Sequence, residues 1–418
     1  MEPLLGTPVE GPGKLYPVRY YVALVYSVFA FMQGLCWAVP GPLSSAYKTL
    51  YGADSGLVQL YVNLGPILYI PLSLPISFWM DKPKGISQSV LLGVTLVTVG
   101  QVLRLLARDG TAASRALLEA SYVLNAAAGP MAMGAVGKIS EAWFPPSQRA
   151  TATAVMAEAN VLGVAAAMLV GPLIVSGPTF AQMAQYNYLL LGVCAVMQLC
   201  VLAYFPDHPP SPPSTSASEV EAKERSFTLQ ALWETAWFTL TSRNFLVLAL
   251  AYGLVTGMFG SWSTVLSINL SGCSPLLVGW LSFSQTVVGG FGGIAMGIYV
   301  DMFRRLKASL VALIVAAAGC FSLFAVLCSG LLKGMVVCNE DGSAGPLMPW
   351  LFFISILGGL FVYSTIPLFL ELSLEATHPR PEATVFIMIT NMNNLGCLIF
   401  LLIPSTWCVG FSPAHPAR

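Results

Sequence analysis

Segments of about 20 apolar residues recur along the whole chain, and each is long enough to cross the hydrocarbon core of a bilayer as an α-helix. Of 418 residues, 56% are hydrophobic and only 9% are charged, whereas about 25% of residues are charged in an average soluble domain. A water-soluble fold could not bury this much apolar surface. The sequence therefore predicts an all-α, multi-pass membrane protein with helices near residues 20–41, 56–80, 87–106, 116–138, 150–172, 187–205, 244–266, 276–300, 309–329, 348–370 and 384–403.

The predicted helices fall into two groups that a polar segment separates. Residues 206–226, PDHPPSPPSTSASEVEAKERS, are too rich in Pro, Ser and charge to form a packed core. We therefore predict a tail at 1–19, a six-helix bundle at 20–205, a linker at 206–243, a five-helix bundle at 244–403 and a non-spanning tail at 404–418. Basic residues favour the side of the N-terminus and the linker, which indicates that this side is cytosolic.

The cysteines show no spacing typical of a metal site, and most lie in or beside apolar segments, where they are interpreted as small packing residues. Cys273 and Cys338 fall on the predicted non-cytosolic side, where a disulfide could form, although packing is again the preferred interpretation. Asn269 begins the sequon Asn-Leu-Ser on the same side and is a candidate for glycosylation.

Two matches between the halves indicate an internal repeat. The second and third helices are joined by WMDKPKG, and the eighth and ninth by YVDMFRRLK, so that Asp81 and Asp301 occupy similar positions 220 residues apart. At an offset of 233 residues, the fifth helix resembles the eleventh. The matched pairs are Pro146 with Pro379, Ala150 with Ala383, Thr151 with Thr384, Asn160 with Asn393, Leu162 with Leu395 and Gly163 with Gly396.

Parallel repeats of six helices joined by a cytosolic linker are the layout of major facilitator transporters, and WMDKPKG resembles the loop signature of that superfamily. The resemblance implies two pseudo-symmetric bundles around a central site, here with six and five helices because the twelfth is missing. It also implies that the clustered charges of the two loops hold the halves together in one gating state. These gating residues are Asp81, Lys82, Lys84, Asp301, Arg304 and Arg305.

A narrower resemblance rests on YGLVTGMFGSWSTVL (252–266), AWFPPSQRATATAV (142–155) and FAFMQGLCWAVPGPLSSA (29–46). These segments resemble solute carrier family 49, the family of haem and choline transporters, and are most similar to a lysosomal member of it. The resemblance covers residues 1 to about 403. It implies a proton-driven exporter of a small organic solute, with pyridoxine (vitamin B6) as the substrate. Choline, ethanolamine or haem transport is the alternative, and a transport-inactive truncated product is another.

Glu158 is a carboxylate near the middle of the fifth predicted helix. An ionised side chain at the centre of a bilayer costs roughly 2.5–3.5 kcal/mol on insertion scales, so this one must face a cavity, a partner or a bound proton. Burial favours the protonated form, and a site open in turn to an acidic and a neutral compartment could carry protons. Glu158 is therefore predicted to couple transport to protons, the alternative being a neutral acid bonded to a neighbouring helix.

Substrate contacts are predicted from amide and aromatic side chains inside the helices. Amides can donate and accept hydrogen bonds with an uncharged, hydroxyl-rich solute, and aromatic rings can stack on a pyridine ring or bind an ammonium group. In the family these parts of the fifth and eleventh helices contact substrate, and Trp37 matches a cavity tryptophan, whereas Gly260 replaces a usual tyrosine. The alternatives are bonds between helices for the amides and lipid-interface anchoring for the tryptophans. The predicted substrate-binding residues are Gln33, Trp37, Asn160, Tyr252, Trp262, Asn391, Asn393 and Asn394.

Several function classes find no support in the sequence. All three histidines lie outside the predicted helices, so no imidazole is available there to bind haem or relay protons. No pairing of nucleophile and base indicates an enzyme, and no metal or cofactor is expected. Net charge is zero and the basic residues are scattered, which gives no sign of nucleic-acid binding. The expected partners are a small-molecule substrate, protons and the lipid bilayer, and the oligomeric state is left open.

Overall fold

Helices make up nearly all of the part of the chain that the structure describes. The computed structural model describes residues 14–402 except 214–227, 265, 267–269, 271–272, 304, 330–336, 340, 379 and 381. Fifteen α-helices can be numbered along it. They are α1 Val18–Ala38, α2 Ser44–Tyr51, α3 Ser55–Met80, α4 Gly85–Leu106, α5 Ala112–Trp143, α6 Arg149–Ile174, α7 Phe180–Ala203, α8 Leu229–Thr241, α9 Arg243–Tyr252, α10 Met258–Thr264, α11 Pro275–Phe303, α12 Leu306–Cys328, α13 Met348–Tyr363, α14 Thr365–Thr377 and α15 Glu382–Leu402.

Each of the eleven predicted helices coincides with helical backbone. Within the described ranges, nine helical stretches are long and apolar enough to cross a membrane, and Thr384–Phe400 is a shorter apolar helix. Two of the predicted helices are interrupted. A π-helical segment, Gly253–Gly257, joins α9 to α10, and α13 meets α14 at Ser364.

Two helices lie where the sequence predicted none. The first, α2, is a short helix between α1 and α3. The second, α8, occupies residues 229–241 of the predicted linker, because its buried face, which includes Leu232 and Ala236, packs against the protein while Trp233 and Trp237 remain exposed. The predicted tail at 404–418 and the sequon at Asn269 lie outside the described residues.

A proline just after α1 leaves a backbone carbonyl of that helix free to bond to a side chain of α4. The carbonyl of Cys36 would normally accept a bond from the residue four positions later, but this residue is Pro40, which has no N–H. The buried guanidinium of Arg104 donates to that carbonyl at 2.9 Å instead and also to Ser121 Oγ at 3.0 Å. The end of α1 is therefore held by a side chain of α4.

The two bundles contact each other most extensively along two helix pairs, which we call seams: α6 packs against α11, and α3 packs against α15. Within each bundle the fifth predicted helix or its repeat packs against the first, so that α6 contacts α1 and α15 contacts the π-helical segment and α10. The repeat in the sequence is therefore also a repeat in packing. This packing leaves a central space between the two bundles, and α1, α3, α6, α10 and α15 border it.

Glycines allow the closest of these approaches in both halves. A Cβ at Gly34 of α1 would overlap the backbone oxygen of Asn160, and a Cβ at Gly257 would overlap that of Asn393. Gly34 and Gly257 are 223 residues apart, and the two asparagines are 233 apart. The same contact is thus made twice, once in each bundle, by equivalent residues.

Candidate functional site

A cavity of about 150 Å³ lies between the two halves. Six of the eight predicted substrate-binding residues line it, and they come from α1, α6, α9 and α15. They are Gln33, Trp37, Asn160, Tyr252, Asn393 and Asn394. Sequence reasoning missed several other polar and aromatic residues of the lining, which include Tyr69, Thr256, Ser263, Tyr363 and Cys397. Among the residues that the structure describes, the lining contains no Asp, Glu, Lys, Arg or His, so a ligand would meet dipoles and rings there rather than a fixed charge.

A hydrogen bond holds Trp37 on one wall of the cavity. The acceptor is a backbone carbonyl of α3 that has no donor within its own helix. The carbonyl of Val62 in α3 would bond to the residue at position 66, but Pro66 has no N–H. Trp37 Nε1 donates to this carbonyl at 2.7 Å. Gly65 leaves room for the ring, because a Cβ there would lie 2.5 Å from Trp37 Nε1. The indole is therefore fixed by a hydrogen bond and by close packing.

The amides of Asn160 and Asn393 bind equivalent positions in the two bundles. Asn160 Nδ2 donates to the carbonyl of Ala30 at 2.9 Å and to Gln33 Oε1 at 2.8 Å. Asn393 Nδ2 donates to Thr256 Oγ1 at 2.5 Å, and Thr256 is 223 residues after Gln33. In both halves the amide nitrogen is committed to a helix contact beside the cavity. These hydrogen bonds of Asn160 and Asn393 hold neighbouring helices together at the cavity, and the two side chains also contribute polar groups to its lining.

Two predicted substrate-binding residues lie away from this cavity. Asn391 is buried in the α3–α15 seam, where its amide bonds to Ser73 Oγ at 3.0–3.1 Å. Trp262 lines a separate, apolar cavity of about 540 Å³ between α10 and α12, and its ring packs against Phe321 and Phe324. Residues two apart on a helix are rotated by about 200°, so Trp262 cannot share the face of Gly260, which lines the central cavity.

The side chain of Glu158 points in a different direction from that of Asn160, because residues two apart on a helix are rotated by about 200°. Its side chain is 1% exposed and points into the α6–α11 seam, against Gly290 and Gly293 of α11. Neither carboxyl oxygen has a hydrogen-bond partner among the described residues. The predicted proton-coupling residue is thus a buried acid between the two halves, beside the cavity rather than on its lining.

The loop signature is built around a cation that the sequence did not single out. Asp81 forms a buried ion pair with Lys138 of α5, and Lys138 Nζ also donates to the carbonyl of Met80 at 2.8 Å. Lys82 instead lies exposed over the ring of Phe78, at 4.3 Å from its centroid. Lys84 is exposed in a left-handed conformation with φ +64°. The acid of the signature is therefore joined to α5, and the adjacent lysines face outward.

The second loop is only partly described. Asp301 lies in α11, and Arg305 precedes α12, where it is exposed. Arg304 and the side chain of Asp301 lie outside the described residues. On the predicted non-cytosolic side, Cys273 and Cys338 form a disulfide with Cα atoms 5.4 Å apart, so the interpretation of these two as packing residues is wrong. This disulfide ties the segment after α10 to the segment between α12 and α13.

Comparison with known proteins first establishes the class. Residues 26–401 match the Major Facilitator Superfamily. The fold is similar to that of the xylose transporter XylE from E. coli in a partially occluded inward-open conformation, with a TM-score of 0.64, 13% identity, and 96% of this chain and 92% of that chain covered. It is also similar to the E. coli fucose:proton symporter FucP, with a TM-score of 0.59, 15% identity and coverages of 91% and 90%.

Comparison of sequences then narrows the class to a family. The chain is 31% identical to a solute carrier family 49 member 4 homolog of Xenopus tropicalis, with 98% of this chain and 91% of the relative covered. It is 24% identical to the choline/ethanolamine transporter flvcr2b of Danio rerio, with coverages of 89% and 74%. The protein belongs to the major facilitator superfamily and, within it, to solute carrier family 49. Both the predicted fold class and the predicted family are confirmed.

Proposed function

We propose that this protein is a proton-coupled secondary active transporter that exports pyridoxine across the lysosomal membrane. The observation that carries the proposal is the chemistry of the central cavity. An uncharged lining of amides, hydroxyls and aromatic rings suits a neutral aromatic solute with several hydroxyl groups, since each such group needs a hydrogen-bond partner when it leaves water. The indole of Trp37 offers a fixed face on which a pyridine ring can stack.

Proton coupling is supported by the position of Glu158. The carboxyl is buried between the halves, in the part of the molecule that has to rearrange when a transporter of this layout alternates between its two open states. An acid that is neutral in one arrangement and ionised in the other can bind a proton on one side of the membrane and release it on the other. Asn160 lies two residues away and reaches the substrate cavity, so the proton site and the cavity share α6.

Choline or ethanolamine is the second candidate substrate. It is favoured by the name of the Danio rerio relative and by the aromatic side chains of the cavity, which could surround a quaternary ammonium group. Against it, the residue 223 positions after Trp37 is Gly260. The wall that faces Trp37 across the pseudo-symmetry therefore carries no second ring at the equivalent position.

Uptake measurements can separate these substrates. The protein would be directed to the plasma membrane of cultured cells, and uptake of labelled pyridoxine and labelled choline would be compared at about pH 5 and about pH 7.5 outside, with and without a protonophore. We expect pyridoxine uptake that rises at acidic pH and falls when the gradient is dissipated. Uptake of choline alone would move the assignment to the second candidate, and uptake of neither would refute the proposal.

The proton site has a matched control in the same protein. Glu158→Gln is expected to abolish the pH dependence of uptake, because the amide cannot release a proton. Glu119→Gln removes an exposed acid of α5 outside the cavity and the seams and is expected to leave that dependence in place. Unchanged pH dependence in Glu158→Gln would rule out the assignment of Glu158.

A further inference from the structure

The two seams carry different chemistry at equivalent positions. In the α3–α15 seam, Ser73 and Asn391 are buried and joined by a hydrogen bond between Ser73 Oγ and the Asn391 amide. This contact joins a residue of the first bundle to one of the second. Neither side chain changes its charge over the physiological pH range, so the contact is the same in acidic and in neutral surroundings.

The sequence repeat maps this pair onto the other seam. The offset of 220 residues that relates Asp81 to Asp301 takes Ser73 to Gly293, and the offset of 233 that relates Asn160 to Asn393 takes Glu158 to Asn391. Gly293 and Glu158 are in contact, since a Cβ added at Gly293 would overlap the Glu158 carboxyl. The same two positions thus meet in both seams. One seam holds an amide and a hydroxyl, and the other holds an acid and no side chain.

The surroundings of Glu158 offer no substitute for the missing hydroxyl. Across the seam it lies beside Gly290 and Gly293, and both of its oxygens lack a hydrogen-bond partner among the described residues. Among the titratable groups that the structure describes, Tyr252 of α9 and Tyr363 of α13 interact with it electrostatically. Residues 151–165 of α6 and 285–298 of α11 contain no other ionisable side chain, and no described charged group of α1, α5, α7 or α14 bonds to it.

We propose that the contact of Glu158 with Gly293 is a proton-operated clasp between the two halves, the ionisable counterpart of the fixed clasp made by Ser73 and Asn391. The idea rests on the proposed proton coupling and specifies how the proton acts. A neutral carboxyl can be packed against glycine in an apolar seam, whereas a carboxylate without a donor or cation cannot stay dry there. When Glu158 loses its proton to water, the α6–α11 seam has to open until water reaches the carboxylate, and when the proton returns it can close.

The clasp can be tested without any substrate. The full chain, with its unpaired cysteines replaced and its disulfide retained, would be placed in lipid nanodiscs. Spin labels at the exposed residues Leu173 of α6 and Leu276 of α11 would report distances across the α6–α11 seam. We expect the distance distribution to differ between about pH 5 and about pH 7.5, with the closed arrangement favoured by acid by tenfold or more. Glu158→Gln should show the acidic distribution at both pH values, and Glu119→Gln should behave like the unchanged protein.

Exchanging the two pairs of side chains between the seams tests whether they cause the pH response. Glu158→Asn with Gly293→Ser copies the fixed clasp into the α6–α11 seam and should remove the pH response. Adding Asn391→Glu and Ser73→Gly to that protein should restore a response, reported by labels at Leu60 and Ile399 on α3 and α15, which are both exposed. If Gly293→Ser does not fold, Glu158→Gln alone decides. A pH response that persists in Glu158→Gln, or one that is absent from the unchanged protein, would overturn the clasp.

These distances also separate the clasp from the proposed function. If the unchanged protein shows the pH response but takes up no pyridoxine, the proposed substrate is wrong and the clasp stands. If proton-driven pyridoxine uptake is found while the distances of the unchanged protein do not respond to pH, the proposed function stands and the clasp is refuted.

Discussion

The substitution Gly65→Ala tests whether the indole of Trp37 is fixed as the structure places it. The added Cβ would lie 2.5 Å from Trp37 Nε1, 3.0 Å from Cδ1 and 3.3 Å from Cε2, whereas unstrained contacts between carbon atoms are about 3.5–4.0 Å. The ring therefore has to move by about 1 Å. The bond from Nε1 to the Val62 carbonyl, now 2.7 Å, would then exceed the range of a hydrogen bond.

The expected effects on stability and on transport differ in size. Replacing Gly by Ala inside a helix stabilises it by about 1 kcal/mol. Loss of the hydrogen bond costs about 1 kcal/mol, and the crowded ring costs about 1–3 kcal/mol more. We therefore expect a net destabilisation of about 1–3 kcal/mol. A displaced ring face should weaken substrate binding by about 1.4 kcal/mol, which corresponds to a tenfold higher KM.

Gly192→Ala is the matched control. Gly192 lies in α7, and a Cβ there meets nothing within 4 Å, so this variant should gain about 1 kcal/mol of helix stability and keep its KM. Thermal unfolding of the detergent-solubilised protein and the concentration dependence of pyridoxine uptake would be measured for both variants. If Gly65→Ala is stabilised as much as Gly192→Ala and its KM is unchanged, the indole is not held against α3 and the reasoning fails.

Three further predictions concern the loops and the predicted cytosolic end. Asp81→Asn should lower the free energy of unfolding by about 3 kcal/mol, because it removes the carboxylate that forms the buried ion pair with the ammonium of Lys138. A double-mutant cycle with Lys138→Met should recover part of the loss, and strictly additive effects would contradict the pair. Reduction of the disulfide between Cys273 and Cys338, which are 65 residues apart, should cost about 4 kcal/mol from chain entropy, measured as a fall in unfolding temperature that Cys273→Ser reproduces. Hydrogen bonds from the Ser114 and Thr111 hydroxyls hold the pKa of the exposed Asp109 carboxyl below its ordinary value, so its contribution to stability is complete above about pH 4 and is lost only as the pH falls through the lowered pKa. Asp109→Asn should therefore lower the unfolding temperature equally at about pH 5 and about pH 7.

The sequence predicted the helices and the repeat because both depend on local or periodic signals. Apolar length locates a membrane helix almost independently of its neighbours, and the match of Asn160 with Asn393 anticipated that the two would make equivalent contacts. The repeat offset is not constant, however. It is 220 for α3 and α11, 223 for α1 and α10, and 233 for α6 and α15, because the connecting loops differ in length. Without the structure, Thr256 could not be recognised as the counterpart of Gln33.

The direction of each side chain could not be predicted in the same way. These helices are apolar on all sides, so their sequences contain little information about which face meets a cavity, a seam or lipid. Glu158 and Asn160 are two residues apart and point into different environments. Trp262 was predicted to contact substrate because it is an aromatic side chain inside a helix, but it lies against α12. Lys82 and Lys84 were the cations predicted beside Asp81, but its ion pair is with Lys138, which is 57 positions away and meets it through the packing of α3 on α5.

Pro66 gives α3 a property that a regular helix would lack. Because Pro66 has no amide hydrogen, the carbonyl of Val62 is free to accept a hydrogen bond from another helix, and Trp37 Nε1 of α1 donates it. Pro66→Ala would restore the amide hydrogen and straighten the ladder of α3, yet it would make the indole compete for its anchor. A change that improves one helix in isolation would thereby displace a ring of the proposed substrate site, and screens for a more heat-resistant protein should treat this proline as part of that proposed site.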